Sequence, residues 1–264
     1  MSKYLCTFPG KFGDILWSLA TVKFIAEKIV GEPVDFAVMP YYESILPLIQ
    51  KQEYIDRAFA IKTWLKTHSN YGDQPWEAPV NTSYERVWHL GYRCHPGKAF
   101  GNVEMALIDF IAYQQGITFP EPQTRFLDTR VAYSGSTVAV ACNELYVDQK
   151  KEFRRAFADN LIGAAVVDVD DMSWVDAAIY IRSSIFFVGD RSANWVIAQG
   201  LGKECITYEP HPARHAIGYL GKVFGNPYGR EVALPLLLPA RVAGETAAAM
   251  VKKRIAEKLE VAAT

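Results

Sequence analysis

The sequence predicts an α/β protein with two parallel sheets, one in each half of the chain. Strand-like and helix-like patterns alternate through both halves, as they do where helical crossovers join parallel strands. The chain has 264 residues, enough for two small domains, and 50% of them are hydrophobic, enough for a core in each domain. We place the boundary in the proline-broken segment before residue 130, which gives domains of residues 1–130 and 131–264.

The first domain is predicted to contain four strands. After the first strand, Ile15, Leu19 and Val22 recur at helical spacing and Gly31 marks the end of the helix. A polar and aromatic insertion at residues 63–83 interrupts the alternation and has the composition of a recognition loop. In chain order the predicted elements are strand KYLCTF, helix DILWSLATVKFIAEKIVG, strand VDFAVM, helix YESILPLIQKQ broken by Pro47, strand DRAFAIK, strand YERVWHLGY and helix NVEMALIDFIAYQQGI.

The second domain repeats the alternation and ends in a long helix with a charged side. Its predicted elements are strand STVAVAC, helix QKKEFRRAFADNL, strand AAVVDVD, helix MSWVDAAIYIRSS, strand IFFVGD, helix NWVIAQGLG, strand ECITYE and helix ARVAGETAAAMVKKRIAEKLEVAA. Two such sets of alternating elements predict two Rossmann-like halves that face a shared cleft.

Composition narrows the class of protein. The formal net charge of −1 gives no basic excess of the kind that nucleic-acid-binding proteins carry. Cys6, Cys142 and Cys205 lie in apolar runs and no CxxC pair occurs, so we expect buried thiols in a reducing compartment. There is no secretory pattern and no apolar run near the ~20 residues that span a bilayer. We therefore expect a cytoplasmic protein without a transmembrane segment.

The segment PGKFGD, which joins the first strand to the first helix, is the first candidate site. Gly10 and Gly13 leave backbone N–H groups accessible to a ligand, and Lys11 adds a positive charge. Asp14 lies where the helix begins, directly after Gly13. The alternative is that Asp14 only caps the helix.

The segment FFVGDRSANW is the second candidate site, again where a strand leads into a helix. Asp190, Arg191 and Ser192 follow the strand, and Asn194 lies in the first turn of the predicted helix. Free N–H groups, a hydroxyl and a guanidinium suit a phosphate group. The alternative is that Asp190 or Ser192 is an N-cap.

Other polar and aromatic residues complete the candidate set. Asp168 or Asp170, at the end of a strand, is suited to accept hydrogen bonds from ribose hydroxyls, with a solvated turn as the alternative. The run KKEFRR either reaches a pyrophosphate or forms an exposed helix face. Aromatic side chains of the insertion are suited to stack on a sugar or a base. The predicted acceptor contacts are Trp64, Tyr71, Trp76 and His89, and Asn143 and Glu209 are added to the donor contacts. The alternatives are that the aromatic residues hold the long insertion in place and that His89 forms hydrogen bonds in the core or a loop.

Two blocks of this sequence resemble a known family. GKFGDILWSLATVKFI is similar to the N-terminal signature of the heptosyltransferase-like glycosyltransferases of family 9, and SWVDAAIYIRSSIFFVGDRSANWVIAQGLGKECITYEP is similar to their donor-site signature. The resemblance implies a GT-B fold whose last helix returns to the N-terminal domain. It also implies that Asp14 is the general base, that Gly13 lets the acceptor approach, and that Asp190 and Ser192 bind the donor phosphates.

The donor block departs from the family pattern at four positions. Ser192 stands where the family has glycine, Trp195 where it has histidine, Arg191 where it has a small hydroxyl residue, and Glu204 where it has proline. We hypothesise that Arg191 supplies the charge that the histidine would otherwise give.

The predicted function is therefore an inverting, metal-independent glycosyltransferase with a nucleotide-sugar donor and no other cofactor. The acceptor would be a hydroxyl of a glycan or lipid-linked sugar, or of a hydroxylated DNA base as in phage enzymes. Two alternatives remain from the sequence: a hydrolase or epimerase that acts on a nucleotide sugar, and a non-catalytic module that binds sugar nucleotides.

Overall fold

A computed structural model of the protein describes residues 2–65, 77–80, 83–91, 107–130, 137–142, 147–208, 231–234 and 238–263, with side chains of the last helix described to residue 257. The described residues up to Thr129 form one compact unit, and those from Arg130 onward form a second. This division falls beside the boundary placed near residue 130 from the sequence. The acceptor and donor roles assigned to the two parts stay predictions.

The first unit contains a four-stranded parallel sheet with strand order β3-β2-β1-β4. In chain order its elements are β1 (Tyr4–Phe8), α1 (Phe12–Phe24), a π-helical continuation (Ile25–Val30), β2 (Val34–Val38), a 3-10 helix (Pro40–Ile45), α2 (Leu46–Ile49), β3 (Ile55–Ala60), β4 (Arg86–His89) and α3 (Leu107–Tyr113). The predicted strands are confirmed at these positions. The first helix ends at Gly31, whose φ of +79° turns the chain and whose N–H donates to the Ala26 carbonyl.

The helix predicted around Pro47 is built differently from the prediction. The chain forms a 3-10 helix first and starts α2 at Leu46, so Pro47 lies in the first turn of α2. A proline costs no hydrogen bond there, because the N–H groups of a first turn have no partner within the helix. The break comes earlier, where Tyr42 has the non-helical dihedrals φ −111° and ψ 16°.

Strand β2 is buried along its whole length, although its sequence predicted alternation between a buried and an exposed face. The cause is its central position, with β1 and β3 as neighbours and both faces covered. Asp35 therefore lies at 0% exposure, and its carboxylate accepts hydrogen bonds from Arg57 and, at 2.7 Å, from the hydroxyl of Tyr84. These partners offset the cost of burying the charge.

The second unit contains a five-stranded parallel sheet with strand order β6-β5-β7-β8-β9. Its elements are β5 (Thr137–Ala141), α4 (Val147–Asn160), β6 (Ala165–Asp168), α5 (Trp174–Ser183), β7 (Phe186–Gly189), α6 (Ala193–Gly200), β8 (Cys205–Thr207), β9 (Glu231–Ala233) and α7 (Ala240–Ala263). Strand β9 was not predicted, because a segment as short as Glu-Val-Ala has no distinct period.

The C-terminal helix α7 packs within the second unit. Ala243, Ala247 and Val251 are fully buried in one core with Phe153 and Phe157 of α4. Gly244 lets the two helices approach closely, since a Cβ there would lie 2.5 Å from the carbonyl oxygen of Phe153. These described side chains pack within the second unit, and the predicted return of the helix to the first domain stays a prediction. The small residues on one face of α7 match the aromatic face of α4.

The helices in the described part of the chain include no segment whose length and apolar character would suit it to cross a membrane.

Candidate functional site

The two sheets have the same kind of switch point. From β1 the chain runs first to β2 and β3 on one side and later to β4 on the other, and from β5 it runs to β6 and then to β7. In parallel α/β sheets, ligands bind beyond the carboxyl ends of the strands at such points. The segment PGKFGD follows β1, and the segment FFVGDRSANW ends β7 and continues into the loop after it, so both candidate sites lie at these switch points.

In the first unit, the loop after β1 leads directly into α1. Gly10 is buried, and Lys11 is exposed and holds the N-cap position without a side-chain cap bond of its own. Gly13 and Asp14 are half-buried in the first turn of α1. Asp14 therefore occupies the first turn of α1, one of the two positions predicted for it, and the N-cap is Lys11. The positive end of the helix favours an ionised carboxylate at its position.

Asp14 lies within electrostatic range of an aromatic cluster. Burial raises the pKa of Tyr42, and the negative charges of Tyr41 and Asp14 raise it further. The ring of Phe12, in the first turn of α1, meets the Tyr42 ring edge-on with centroids 5.3 Å apart. Aromatic rings thus surround the start of the helix that carries Asp14.

His89 ends β4 at the switch point of the first sheet. It is in register with Thr7 of β1, whose Oγ1 lies 3.1 Å from Nδ1 of the imidazole. The backbone N–H of Ala78 donates to the same Nδ1 at 3.2 Å. These two contacts fix the orientation of the imidazole at the end of β4. The predicted acceptor role of His89 stays a prediction.

Trp64 does not fit the stacking role predicted for it. Its side chain is 1% exposed, so no ring face is accessible to a sugar. The apolar indole is a better core residue than its polar neighbours in sequence, and it is packed accordingly. Tyr71 and Trp76 lie outside the described residues.

The sequence reasoning missed Tyr41, which is 71% exposed after the carboxyl end of β2. The sequence feature that could have indicated it is the pair of tyrosines that directly follows Pro40.

In the second unit, Gly189 fixes the geometry at the end of β7. A Cβ on this residue would lie 1.8 Å from the carbonyl oxygen of Ala141 in β5, which leaves no room for a side chain. The next residue, Asp190, donates its backbone N–H to that same carbonyl at 3.1 Å, and its side chain is 1% exposed. The two central strands therefore hold the start of the following loop in place.

Ser192 and Asn194 place buried polar atoms at the start of α6. Ser192 holds the N-cap position but forms no cap bond, and its side chain is 5% exposed. Asn194 is 1% exposed and donates from Nδ2 to the Val169 carbonyl at 3.4 Å. Neither Ser192 Oγ nor Asn194 Oδ1 has a hydrogen-bond partner among the described residues. Such groups cost about 1–3 kcal/mol each when buried, so a ligand that offers an acceptor oxygen to the Ser192 hydroxyl and a hydroxyl donor to Asn194 Oδ1 would stabilise this arrangement.

Arg191 is engaged within the protein. Its Nε lies 2.9 Å from Glu231 Oε1, and the hydroxyl of Thr207 donates to the same oxygen at 2.5 Å. The guanidinium also lies over the ring of Trp195, 5.7 Å from its centroid. Glu231 belongs to the unpredicted strand β9, so the sequence gave no sign of this partner. The positive charge proposed for phosphate binding is therefore balanced by a carboxylate.

The acidic pair after β6 divides into a buried and an exposed carboxylate. Asp170 has a side-chain exposure of 0%; it pairs with Arg154 and, at 2.7 Å, with Lys150, and accepts the Cys142 N–H at 2.9 Å. Burial raises the pKa of Asp170, while Lys150, Arg154 and the Cys142 N–H oppose that rise. Asp168 is 46% exposed and pairs with Arg154 at 2.6 Å. Asp168 is thus the better placed of the two to meet a ribose.

The structure places Asp168 at the carboxyl end of β6 and Asp190, Ser192 and Asn194 after β7, the two strands that flank β5. Asn143 and Glu209 lie outside the described residues. In the run KKEFRR, Arg155 is exposed as the helix-face interpretation predicts, whereas Lys150 and Arg154 bind the acidic pair; the pyrophosphate contact stays a prediction. Within the described segments, no group of three or more histidine, cysteine or acidic side chains is arranged to hold a metal ion.

Solved structures of glycosyltransferases share this fold over nearly the whole chain. The glycosyl transferase family 9 protein from Veillonella parvula matches with a TM-score of 0.61 and 8% identity, covering 96% of this chain and 97% of that one. E. coli ADP-heptose lps heptosyltransferase II matches with a TM-score of 0.59 and 12% identity, covering 96% and 100%. E. coli heptosyltransferase WaaC, solved with ADP, matches with a TM-score of 0.54 and 14% identity, covering 96% and 99%.

At these identities the likeness shows the fold: two parallel-sheet α/β regions, as the GT-B resemblance of the two sequence blocks implied, are confirmed, whereas the shared cleft stays a prediction. No protein-family model matches the sequence, and no curated protein is a close match to it.

Proposed function

We propose that the protein is a glycosyltransferase that takes its sugar from a nucleotide-sugar donor. The observation that carries this proposal is the pair of buried oxygens without partners among the described residues, Ser192 Oγ and Asn194 Oδ1, at the start of α6. They lie beside the switch point of a sheet whose fold is shared with E. coli WaaC, a heptosyltransferase solved with ADP and with ADP-2-deoxy-2-fluoro heptose. A diphosphate and its ribose are the ligand chemistry that best suits this end of the sheet.

The donor contacts follow from the geometry of the second unit. The backbone N–H groups at the start of α6 and the Ser192 hydroxyl donate to diphosphate oxygens. Asp168 accepts from a ribose hydroxyl, since it is the exposed member of the acidic pair. Arg191 joins the phosphate by turning away from Glu231, so donor binding exchanges one ion pair for another.

Asp14 acts as the general base in this proposal. The acceptor hydroxyl attacks the anomeric carbon while Asp14 takes its proton, and the bond from that carbon to the diphosphate oxygen breaks with inversion. Such proton transfer accelerates a reaction by roughly 10²–10⁴. The N–H groups and hydroxyl at the start of α6 stabilise the charge that develops on the leaving diphosphate, so the reaction proceeds without a metal ion.

The acceptor in this proposal is a sugar hydroxyl of a glycan or a lipid-linked saccharide. A hydroxylated DNA base is the less suitable acceptor, because the formal net charge of −1 provides no excess of cations for a phosphate backbone.

A non-catalytic module that binds sugar nucleotides is the second candidate. The observation that favours it is the balanced charge of Arg191, because Glu231 competes with a phosphate for the guanidinium. Product formation by the wild-type protein, and its loss in a variant of the proposed base, separates the two candidates.

Nucleotide binding is tested first, by thermal shift with ADP, UDP, GDP and CDP. We expect one of them to raise Tm and Ser192→Ala to weaken its binding by about tenfold or more, as the loss of a hydrogen bond to a charged group predicts. Ser173→Ala is the matched control, since Ser173 caps α5 in the same unit through a bond to the Asp176 N–H. The control lowers Tm without ligand and keeps the nucleotide-induced shift. A wild-type protein whose Tm none of the four nucleotides changes contradicts the proposal.

Asp14→Asn tests the role of the base. We expect this variant to keep its nucleotide affinity and to lose sugar transfer by about 10²-fold or more, because the amide cannot take a proton. Asp56→Asn, in β3, removes an exposed acid from the amino edge of the same sheet and retains full transfer. Transfer by Asp14→Asn at the wild-type rate assigns the base to another residue.

A further inference from the structure

Three aromatic rings form a continuous series at the carboxyl edge of the first sheet. The ring of Phe12 meets that of Tyr42 edge-on, with centroids 5.3 Å apart and planes at 87°. Tyr42 in turn meets Tyr41 edge-on, at 5.1 Å and 80°. Tyr42 is 5% exposed, so the inner part of the series is fixed in the protein, whereas Tyr41 is 71% exposed. Among the described large hydrophobic residues, no other aromatic is as exposed as Tyr41.

The exposed ring is held on a rigid segment. The chain leaves β2 through Val38 and Met39, both at 0% exposure, and Pro40 then begins the 3-10 helix that carries Tyr41. Proline fixes φ, and the two preceding side chains anchor the backbone in the core. Tyr41 is therefore presented to solvent in a defined orientation, with little conformational entropy left to lose when a ligand binds.

The position of the ring relates it to Asp14. Strands β1 and β2 are neighbours, with Phe8 in register with Val38, and the segments that follow their carboxyl ends carry Asp14 and Tyr41. The charge of Asp14 also contributes to the raised pKa of Tyr42, after burial and the charge of Tyr41. Asp14 and the aromatic series therefore lie in one neighbourhood of the same unit.

The chemistry of an exposed ring beside a proton acceptor suits a pyranose. One face of such a sugar carries C–H groups that pack against an aromatic ring, while the hydroxyls at its rim remain free to hydrogen-bond or to react. A nucleobase also has an apolar face, but the charges here are unsuitable for nucleic acid. Glu43 lies exposed in the same 3-10 helix and Asp14 lies nearby, so these acids repel a phosphate backbone.

We propose that Tyr41 is a stacking platform for a sugar ring of the acceptor, held in place by Tyr42 and Phe12, beside the base Asp14. This inference rests on the proposed function, and it names the subsite where the acceptor is recognised. It replaces the stacking role that the sequence assigned to Trp64.

Saturation-transfer NMR of the full chain with the methyl glycosides of glucose, galactose and mannose tests the platform. We expect at least one glycoside to bind and to receive saturation mainly on the C–H protons of one ring face. Tyr41→Ala weakens that binding by about tenfold, which is the upper range for one aromatic contact. Tyr41→Phe and Tyr41→Trp retain it, because the contact needs the ring face and not the hydroxyl.

Tyr113→Ala is the matched control. Tyr113 is 59% exposed in the same unit but ends α3, whereas Tyr41 follows a strand at its carboxyl end. We expect this variant to bind the glycosides as the wild type does. Tyr41→Phe and Tyr41→Trp keep an aromatic ring in the series. Retained glycoside binding by these two variants therefore supports the platform, and lost binding contradicts it, even where Tyr41→Ala is unstable.

Three results overturn the platform: no glycoside binds the wild type, Tyr41→Ala binds as the wild type does, or Tyr41-dependent binding occurs only with a single-stranded oligodeoxynucleotide. The nucleotide thermal shift separates these results from a failure of the proposed function. A chain that binds a nucleotide but no glycoside refutes the platform alone. A chain that binds glycosides through Tyr41 but no nucleotide refutes the transferase and supports the platform.

Discussion

At the scale of single residues, buried charges in this protein are matched by specific partners. Asp35 is the clearest example, because a fully buried carboxylate in a central strand would be costly without Arg57 and Tyr84. Asp170 and Arg191 follow the same rule with Lys150 and Glu231. The sequence shows each acid, but it does not show the partner on a distant element. For this reason Asp170 was predicted to bind a ribose.

The hydroxyl of Tyr84 makes stability depend on pH in the alkaline range. Burial, followed by the hydrogen bond to Asp35 and its charge, raises the pKa of Tyr84 from 10.0 to about 12. Between these values the folded state holds a proton that the unfolded state releases, so the contribution of Tyr84 is complete below pH 10 and is lost as pH rises toward 12.

Tyr84→Phe tests this dependence. We expect the variant to lose about 1–2 kcal/mol of unfolding free energy at neutral pH, because Asp35 loses one hydrogen bond. Its stability should then fall less steeply than that of the wild type as pH rises through the same range. Urea unfolding at a series of pH values measures both effects. Parallel pH profiles for the two proteins would show that Tyr84 does not titrate in this way.

At the scale of elements, small residues decide which helices and strands pack together. Gly189 brings β7 against β5, and Gly244 brings α7 against α4. The turn after α6 uses Gly202 with φ +69°, and the Lys203 that follows donates from Nζ to the Ser184 carbonyl at the end of α5 at 2.5 Å. The Leu-Gly-Lys of the donor block thus has a structural role, independent of any ligand.

The contact between α4 and α7 gives a prediction at this scale. Gly244→Leu places a side chain against the backbone of Phe153, and we expect it to reduce the unfolding free energy by about 1–3 kcal/mol. Ala249→Leu is the matched control on the exposed side of α7, and it should change stability by less than about 0.5 kcal/mol. Denaturant unfolding compares the two. Equal stabilities would mean that this face of α7 does not pack on α4.

At the scale of the whole molecule, the reactivity of three buried cysteines can be used to measure how readily each unit opens. Cys6 lies in the first sheet and Cys142 and Cys205 in the second unit, and all three are free and buried. Burial raises the pKa of each thiol, so the reactive thiolate is rare in the folded protein.

Cys94, the fourth cysteine of the sequence, lies outside the described residues. In a Cys94→Ser background, we expect the native protein to react with a thiol reagent such as DTNB only as fast as its units open. All three thiols should react at once in denaturant. Cys6 and the pair of the second unit react in separate phases if the two units open independently. Rapid modification of the native protein would contradict the burial described for these residues.

The sequence predicted individual strands well, but it did not predict which distant residues and elements pack together. The eight predicted strands of both sheets were read from apolar runs, because a buried strand keeps a distinctive pattern even when it is short. Tertiary partners could not be predicted from the sequence. Strand β9 was missed, Trp64 proved to be a core residue, and α7 packed in its own unit. At the candidate site, motif spacing located Asp14 and Ser192, whereas the Arg191 pair depends on Glu231, which lies on the missed strand.

The wholly parallel arrangement of both sheets has a consequence for how the chain acquires its structure. Thr7 and His89 meet across β1 and β4 although 82 positions separate them, and no pair of the described strands is joined by a hairpin. Each pairing must close a long loop before it gains any stabilisation, so refolding from denaturant should be slow compared with helical proteins of similar size. Partly folded chains would expose unpaired strand edges during that interval, which makes chaperone assistance and low protein concentration favourable for recovery of the native protein.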